Sequence, residues 1–290
     1  MVALDLDTRS RTERSARAIV GRAFSARAAA SAGILFKKID STLRGHIAAE
    51  IDAARAALGA ARPVLLAPAF PAQGRIVRGG RVIVNGVALR GNLREELGGD
   101  GIEVPDAASD ADLLRIARKA LASRPRPLFV GSAGLARAIA RTFRRTRRAR
   151  RRGIPPRPVI AVVGSASPVS AGQAARLARS GALGKDDLLV QLEWAREPVA
   201  SALPVVRQLG RLVARSAPPA HYVLTGGETA RAVLGALGIG DLRLLGEVEP
   251  GVPFGLARDG TLVCTKAGAF GAPDTLARCV ARLKHEMKRS

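Results

Sequence analysis

Short β-rich runs alternate with longer stretches of helical period along almost the whole chain, and this alternation narrows the possible folds more than any other feature. Strands that return parallel to one another need a crossover of about a dozen residues, usually a helix. Val2–Leu6 reads as a strand and about Thr12–Ala30 as a helix. Ile34–Ile39 and Ile47–Leu58 repeat the pair, with Ile47, Ile51, Ala54 and Leu58 on one helix face. Val64–Ala67 is a buried strand, and Arg81–Leu89 a hairpin turning at Asn85-Gly86, residues that tolerate the positive φ such turns require. A helix over Ala111–Leu121 leads to a strand at Leu128–Val130, after which Gly131 and Gly134 open another helix. Beyond Gly153, Pro155, Pro156 and Pro158 the alternation restarts. Strands are expected at Val159–Val163, Leu188–Leu192, Tyr222–Leu224, Leu242–Leu245 and Thr261–Cys264. Helices are expected at Pro168–Arg179, from Gly226-Gly227 to Leu237, and from near Asp274. The sequence therefore reads as α/β, with two domains at 1–150 and 158–290, each a mostly parallel sheet flanked by helices.

The hydrophobic share of 47% is enough for two packed cores, and aromatics at 3% leave that packing to aliphatic side chains. The net charge of +23 would draw any polyanion. Yet eight arginines fall between Arg141 and Arg152, beside the Pro/Gly stretch, as at a solvated helix end and linker. Zinc-finger spacing, an RNP-like motif and a base-stacking aromatic platform are all missing, so a specific nucleic-acid partner is not expected. The opening residues form no secretory signal and no apolar run is long enough for a bilayer, so no membrane partner is expected and the chain reads as cytoplasmic. Cys264 and Cys279 lack metal-ligand spacing and read as buried free thiols.

In parallel sheets ligands bind beyond the carboxyl ends of the strands, where free N–H groups at helix starts favour anions. Loops of this form occur at Lys37–Gly45, Gly131–Leu135, Gly164–Ser170 and Gly226–Thr229. Lys37, Lys38, Arg44, Ser41 and Thr42 could hold a carboxylate or phosphate, and Asp40 among those cations would stay ionised and could accept a bond from a substrate hydroxyl. The same residues fit a surface loop in which Ser41 and Thr42 cap the next helix. Thr225–Thr229, Gly164–Pro168 and Lys266–Gly271 are glycine turns that could approach phosphate oxygens or be ordinary turns; neither Walker A nor GxGxxG spacing is present. His46, His221 and His285 have no triad-like partner in sequence, and His46 reads as exposed.

The segment Lys37-Lys38-Ile39-Asp40-Ser41-Thr42-Leu43-Arg44-Gly45 resembles the KKxDSTLRG signature of the four-carbon acid sugar kinases. Ala67–Arg75 resembles that family's APAFPxxGR segment, and Gly131–Ala136 its GSAGLA turn. Gly164–Pro168, Gly226–Thr229, Glu249–Pro253 and Lys266–Gly271 resemble parts of its nucleotide-binding domain. The resemblance runs from about residue 2 to about residue 283 and implies two Rossmann-like domains, the first binding a sugar acid and the second a nucleotide. It further implies ATP-dependent phosphorylation, with Mg2+, of the terminal hydroxyl of a threonate, erythronate or 3-oxo-tetronate.

By position, the resemblance assigns the sugar acid to Ser10, Arg11, Lys37, Asp40, Ser41, Thr42 and Arg44, with Asp40 also the catalytic candidate. It assigns ATP to Ser165, Gly226, Gly227, Glu228, Thr229 and Gly268. Metal ligands are not identified, and a homo-oligomer is left open. Family members begin with a strand and an acidic DDxTGA loop, whereas this sequence starts just before the next strand, so it reads as an N-terminally truncated member. The interval from Ser167 to Gly226 looks short, Glu228-Thr229-Ala230 stands where Asp-Thr-Ser is common, and Ala267 and Ala269 replace Ser and Gly. The alternative to a kinase is an inactive truncated relative that keeps nucleotide or small-acid binding.

Overall fold

The computed structural model describes residues 2–26, 29, 31–59, 61–89, 91–97, 99–143, 153–194, 203–216 and 218–289. Positions 144–152 of the arginine block, and with them the first part of the expected junction, lie outside the described residues. The chain divides into two compact units, residues 1–147 and 148–290.

The first unit runs α1 (Glu13–Ser25), β1 (Phe36–Lys38), α2 (Ile47–Leu58), β2 (Val64–Ala67), β3 (Arg75–Arg78), β4 (Arg81–Val84) and β5 (Val87–Ala88). It continues with α3 (Leu93–Glu96), β6 (Ile102–Glu103), α4 (Asp110–Ala122), β7 (Leu128–Gly131) and α5 (Ala133–Arg141). Strands β1, β7, β2 and β6 lie in that order and are parallel. All residues of β2 and β7 are buried, which is why both read as continuous apolar runs. Helix α4 starts at a reciprocal capping box between Ser109 and Asp112 and buries Leu113, Ile116, Ala117 and Ala120 against the sheet.

The expected hairpin forms, with Asn85 and Gly86 at φ 49° and 87°, and β3 joins it as a third antiparallel strand. Two expectations at the start of the chain fail. Val2–Leu6 forms no strand: Val2 and Leu4 are 85% and 70% exposed, and no strand among the described residues pairs with the segment. Strand character depends on a partner, which local alternation does not supply. The first helix does not reach Ala30; Ala26 is extended and ends it after Ser25, while positions 27, 28 and 30 lie outside the described residues.

The second unit runs β8 (Val159–Val163), α6 (Pro168–Arg179), β9 (Leu188–Gln191), α7 (Leu203–Ser216), β10 (His221–Thr225) and α8 (Gly227–Ala236). Then come β11 (Arg243–Glu249), β12 (Val252–Leu256), β13 (Leu262–Lys266) and α9 (Thr275–Lys288). The sheet order is β11-β12-β13-β10-β8-β9, parallel from β13 to β9 and antiparallel at β11 and β12. Alternate residues face opposite layers. Ala161, Val163, Val223 and Cys264 pack with α6 and α9, whereas Ile160, Val162, Tyr222 and Leu224 pack with α7 and α8.

Helix α7 and strand β12 had no counterpart in the sequence reading. The signal for α7 was present: Val206, Leu209, Gly210 and Val213 recur at helical spacing and are buried. Gly210 is needed there, because a Cβ would stand 2.6 Å from the Ala232 carbonyl oxygen of α8. Strand β12 contains Pro253 and Gly255, which argue against a strand locally, and its pairing with β11 shifts register between Glu247 and Glu249. Cys264 and Cys279 are buried free thiols, as expected.

Candidate functional site

In the first unit the parallel order brings the carboxyl ends of β1, β7 and β2 side by side. Ile39 N–H bonds the Gly131 carbonyl at 2.9 Å, fixing the start of the Lys37–Gly45 loop. Ser132 Oγ donates to the Ala69 carbonyl at 2.8 Å and accepts from Gly134 N–H at 3.2 Å. A Cβ on Gly131 or Gly134 would run into the Ala67 or Ala69 carbonyl oxygen. The close approach of β7 to β2 therefore accounts for the glycines and serine of this turn.

Asp40 organises the loop itself. Its carboxylate accepts Arg44 Nε and Nη2 at 3.0 Å each, Thr42 N–H at 3.1 Å, and the Thr42 hydroxyl. Burial alone would raise the Asp40 carboxyl, but these bonds outweigh it and hold the group well below the usual carboxylate range. Leu43 takes φ 63°, an uncommon conformation for a leucine, maintained as the turn closes through its N–H on the Asp40 carbonyl at 3.1 Å.

Beneath the loop, Lys37 Nζ meets Glu50 Oε2 of α2 at 2.5 Å, with both side chains buried. Lys37 thus spends its charge on a partner the sequence did not reveal. Lys38 is exposed, and partial loss of water around its ammonium lowers its pKa against the attraction of Asp40, with Lys37 and Arg9 adding to the lowering. The Ser10–Arg11 segment lies against the same loop. A Cβ on Gly45, at φ 105°, would stand 3.6 Å from Arg9 Cγ, and His46 Nε2 is 2.7 Å from the Arg11 carbonyl oxygen. His46 is half-buried, not exposed as its place after Gly45 suggested. Arg11 turns back to Asp7 through Nε on its carbonyl at 2.8 Å, and Ser10 and Ser41 are exposed and half-buried respectively.

In the second unit the chain leaves β8 for the α6 layer and leaves β10 for the α8 layer. Adjacent parallel strands whose helices depart to opposite faces open a crevice at their carboxyl ends. The glycine turns meet there. A Cβ on Gly164 would overlap the Thr229 hydroxyl, and one on Gly268 would overlap Ser165 Oγ. A Cβ on Gly226, at φ 103°, would lie 3.5 Å from Ser165 Cβ. Ser165, Gly226, Thr229 and Gly268, separated by up to about a hundred residues in sequence, are thus packed together, with Gly227 and Glu228 exposed in the first turn of α8.

The last turn is clamped from α6: Ser170 Oγ donates to the Gly268 carbonyl at 2.7 Å, and Gln173 Nε2 to those of Phe270 and Ala272 at 3.1 and 2.8 Å. The sequence places Lys266 at the start of this turn without assigning it to the site; its buried Nζ also reaches the Gly268 carbonyl, at 3.1 Å. Its position at the end of an apolar strand, beside a glycine turn, was the available signal. Glu249 is taken up by the Thr275 hydroxyl at 2.5 Å and by Arg278.

Matching family models are a sugar-binding N-terminal domain over residues 1–92 and a nucleotide-binding C-terminal domain over residues 185–276. The first spans the Asp40 loop and the second two of the three glycine turns. A D-threonate kinase of Bordetella bronchiseptica is 33% identical across 86% of this chain and 78% of that protein. The chain belongs to the four-carbon acid sugar kinase family. A second such relative, a D-threonate kinase of Cupriavidus necator, is 34% identical across 95% of this chain and 86% of that protein. A solved structure from Salmonella typhimurium, described as a putative tRNA synthase, shares the fold at TM-score 0.74 and 20% identity, over 95% of this chain and 87% of that one. Among the described residues, no helix is long and apolar enough to cross a membrane.

Proposed function

We propose that this four-carbon acid sugar kinase transfers the γ-phosphoryl group of ATP to the terminal hydroxyl of a tetronate, with D-threonate the first acid to test. The observation that carries the reading is the meeting of Ser165, Gly226, Thr229 and Gly268 at one sheet edge, where small residues allow backbone N–H groups to approach phosphate oxygens. Both relatives described above are D-threonate kinases, which favours D-threonate over the other acids.

In this reading Arg9, Lys38 and Arg44, around Asp40, attract the sugar carboxylate, and the ionised Asp40 accepts a bond from a substrate hydroxyl and orients it. A carboxylate held this far below its usual range is a weak base, so Asp40 contributes position more than proton abstraction. That suits phosphoryl transfer, where positioning and charge neutralisation dominate. Among the described residues no group of three or more His, Cys, Asp or Glu could cage a metal. Mg2+ would therefore arrive with the nucleotide, held mainly by phosphate oxygens and water, with Glu228 the acidic side chain on the glycine turn.

The test is ADP release at saturating MgATP with D-threonate, L-threonate, D-erythronate and their 3-oxo analogues, alongside ATP calorimetry. Turnover on one acid supports the kinase reading. ATP heat without turnover on any acid supports a binding-only relative, and the absence of both overturns the nucleotide assignment. Because of the +23 charge, heat that tripolyphosphate reproduces and that collapses at physiological salt counts as nonspecific.

A further inference from the structure

We propose that Lys266 is a positioning residue of the nucleotide site: with Ser170 it holds the Gly268 carbonyl inward, so that the Ala269 N–H faces outward as a donor for a phosphate oxygen. The inference rests on the reading that the glycine turns hold nucleotide.

Lys266 ends β13 on the face covered by α6 and α9, and is 4% exposed. Its Nζ and the Ser170 hydroxyl of α6 approach the same acceptor, the Gly268 oxygen, at 3.1 and 2.7 Å. The peptide joining Gly268 to Ala269 is trans and planar, so its N–H points opposite to its carbonyl. With the carbonyl fixed toward Lys266 and Ser170, the Ala269 N–H is directed away from both. Ala269 is exposed, and no group among the described residues accepts from its N–H. The Gln173 bonds to Phe270 and Ala272 hold the remainder of the turn.

The surroundings of Lys266 are not what a purely structural lysine would need. Two thiols, Cys264 and Cys279, lie near its ammonium, and among the described residues no carboxylate pairs with it. Thr225, its register partner on β10, is fully buried, and its hydroxyl has no hydrogen-bond partner among the described residues. Burial brings the ammonium down to about 8, with Cys279 and Cys264 opposing the shift. An ammonium kept under a glycine turn at this cost adds positive potential where the Ala269 N–H emerges, which is the arrangement an incoming phosphate would use.

The experiment is ATP calorimetry with Mg2+ on the full chain at pH 7, with melting temperatures of the same samples unliganded. Lys266→Met should weaken ATP binding by about tenfold, the loss of a charge-assisted contact, while melting at or above the wild-type temperature. Ser170→Ala keeps the lysine, removes the other anchor, and should weaken ATP binding by about threefold. Unchanged ATP affinity in either variant overturns the proposal and leaves the nucleotide reading standing. A Lys266→Met chain that melts lower overturns it too, because the lysine is then a packing element. A wild type without ATP heat overturns the nucleotide reading, and the proposal with it.

Discussion

Arg44 grips Asp40, four residues earlier, through two nitrogens at 3.0 Å each, so the conspicuous cation and anion of the loop form one unit. Mutating either alters the other. The geometry of a fork on a carboxylate is something lysine cannot copy.

Arg44→Lys should therefore raise KM for the sugar acid by about tenfold, with a smaller change in kcat. The sign for Asp40 is that of a depressed carboxylate: its contribution is complete above about 3.9 and disappears as pH falls through the lower folded value. Loosening the fork raises that folded value toward normal. The acid limb of kcat/KM should consequently move to higher pH in Arg44→Lys, and superimposable pH profiles would place Asp40 outside the catalytic cycle.

Lys37 and Glu50 form a buried pair at 2.5 Å, where removing one partner leaves an unpaired charge. Glu50→Leu should destabilise the first unit by about 3–5 kcal/mol, and Lys37→Met combined with Glu50→Leu should recover most of that loss. Denaturation curves of Glu50→Leu, of Lys37→Met alone, of the double variant and of wild type provide the check. Additive losses would mean that the two charges are not coupled.

His221 is fully buried, donating from Nε2 to the Pro155 carbonyl at 3.0 Å and accepting Leu262 N–H on Nδ1 at 2.9 Å. A second proton would have to sit on Nδ1, facing that N–H. Burial lowers its pKa, so the unfolded chain binds the proton first and stability falls as pH drops below about 6.5. Melting temperature measured from pH 8 to 5 should fall more steeply in wild type than in His221→Gln. Equal slopes would remove His221 from the acid response.

Gly268→Ala would set a methyl group 2.9 Å from Ser165 Cβ and onto Ser165 Oγ. It should weaken ATP binding by about tenfold or more while costing roughly 1 kcal/mol or less of stability, because the clash lies at a half-buried edge. Calorimetry together with a melt separates the two effects; a chain that binds ATP normally would show that this contact does not shape the site.

The α/β alternation, the hairpin at Asn85-Gly86 and the β8 and α6 boundaries follow from the sequence because they rest on short-range causes: side-chain period, turn φ and capping. The glycine turns were equally visible, though only as separate turns of uncertain use. Tertiary structure decided which of them touch, since the order β13-β10-β8 brings Gly164, Gly226 and Gly268 to one edge. It also decided that Lys37 answers to Glu50, that Arg44 answers to Asp40, and that Val2–Leu6 finds no strand to join among the described residues. The physical reason is common to all of these. Period and propensity act over a few residues, whereas ion pairing, strand pairing and close backbone approach depend on groups that only the folded chain brings together.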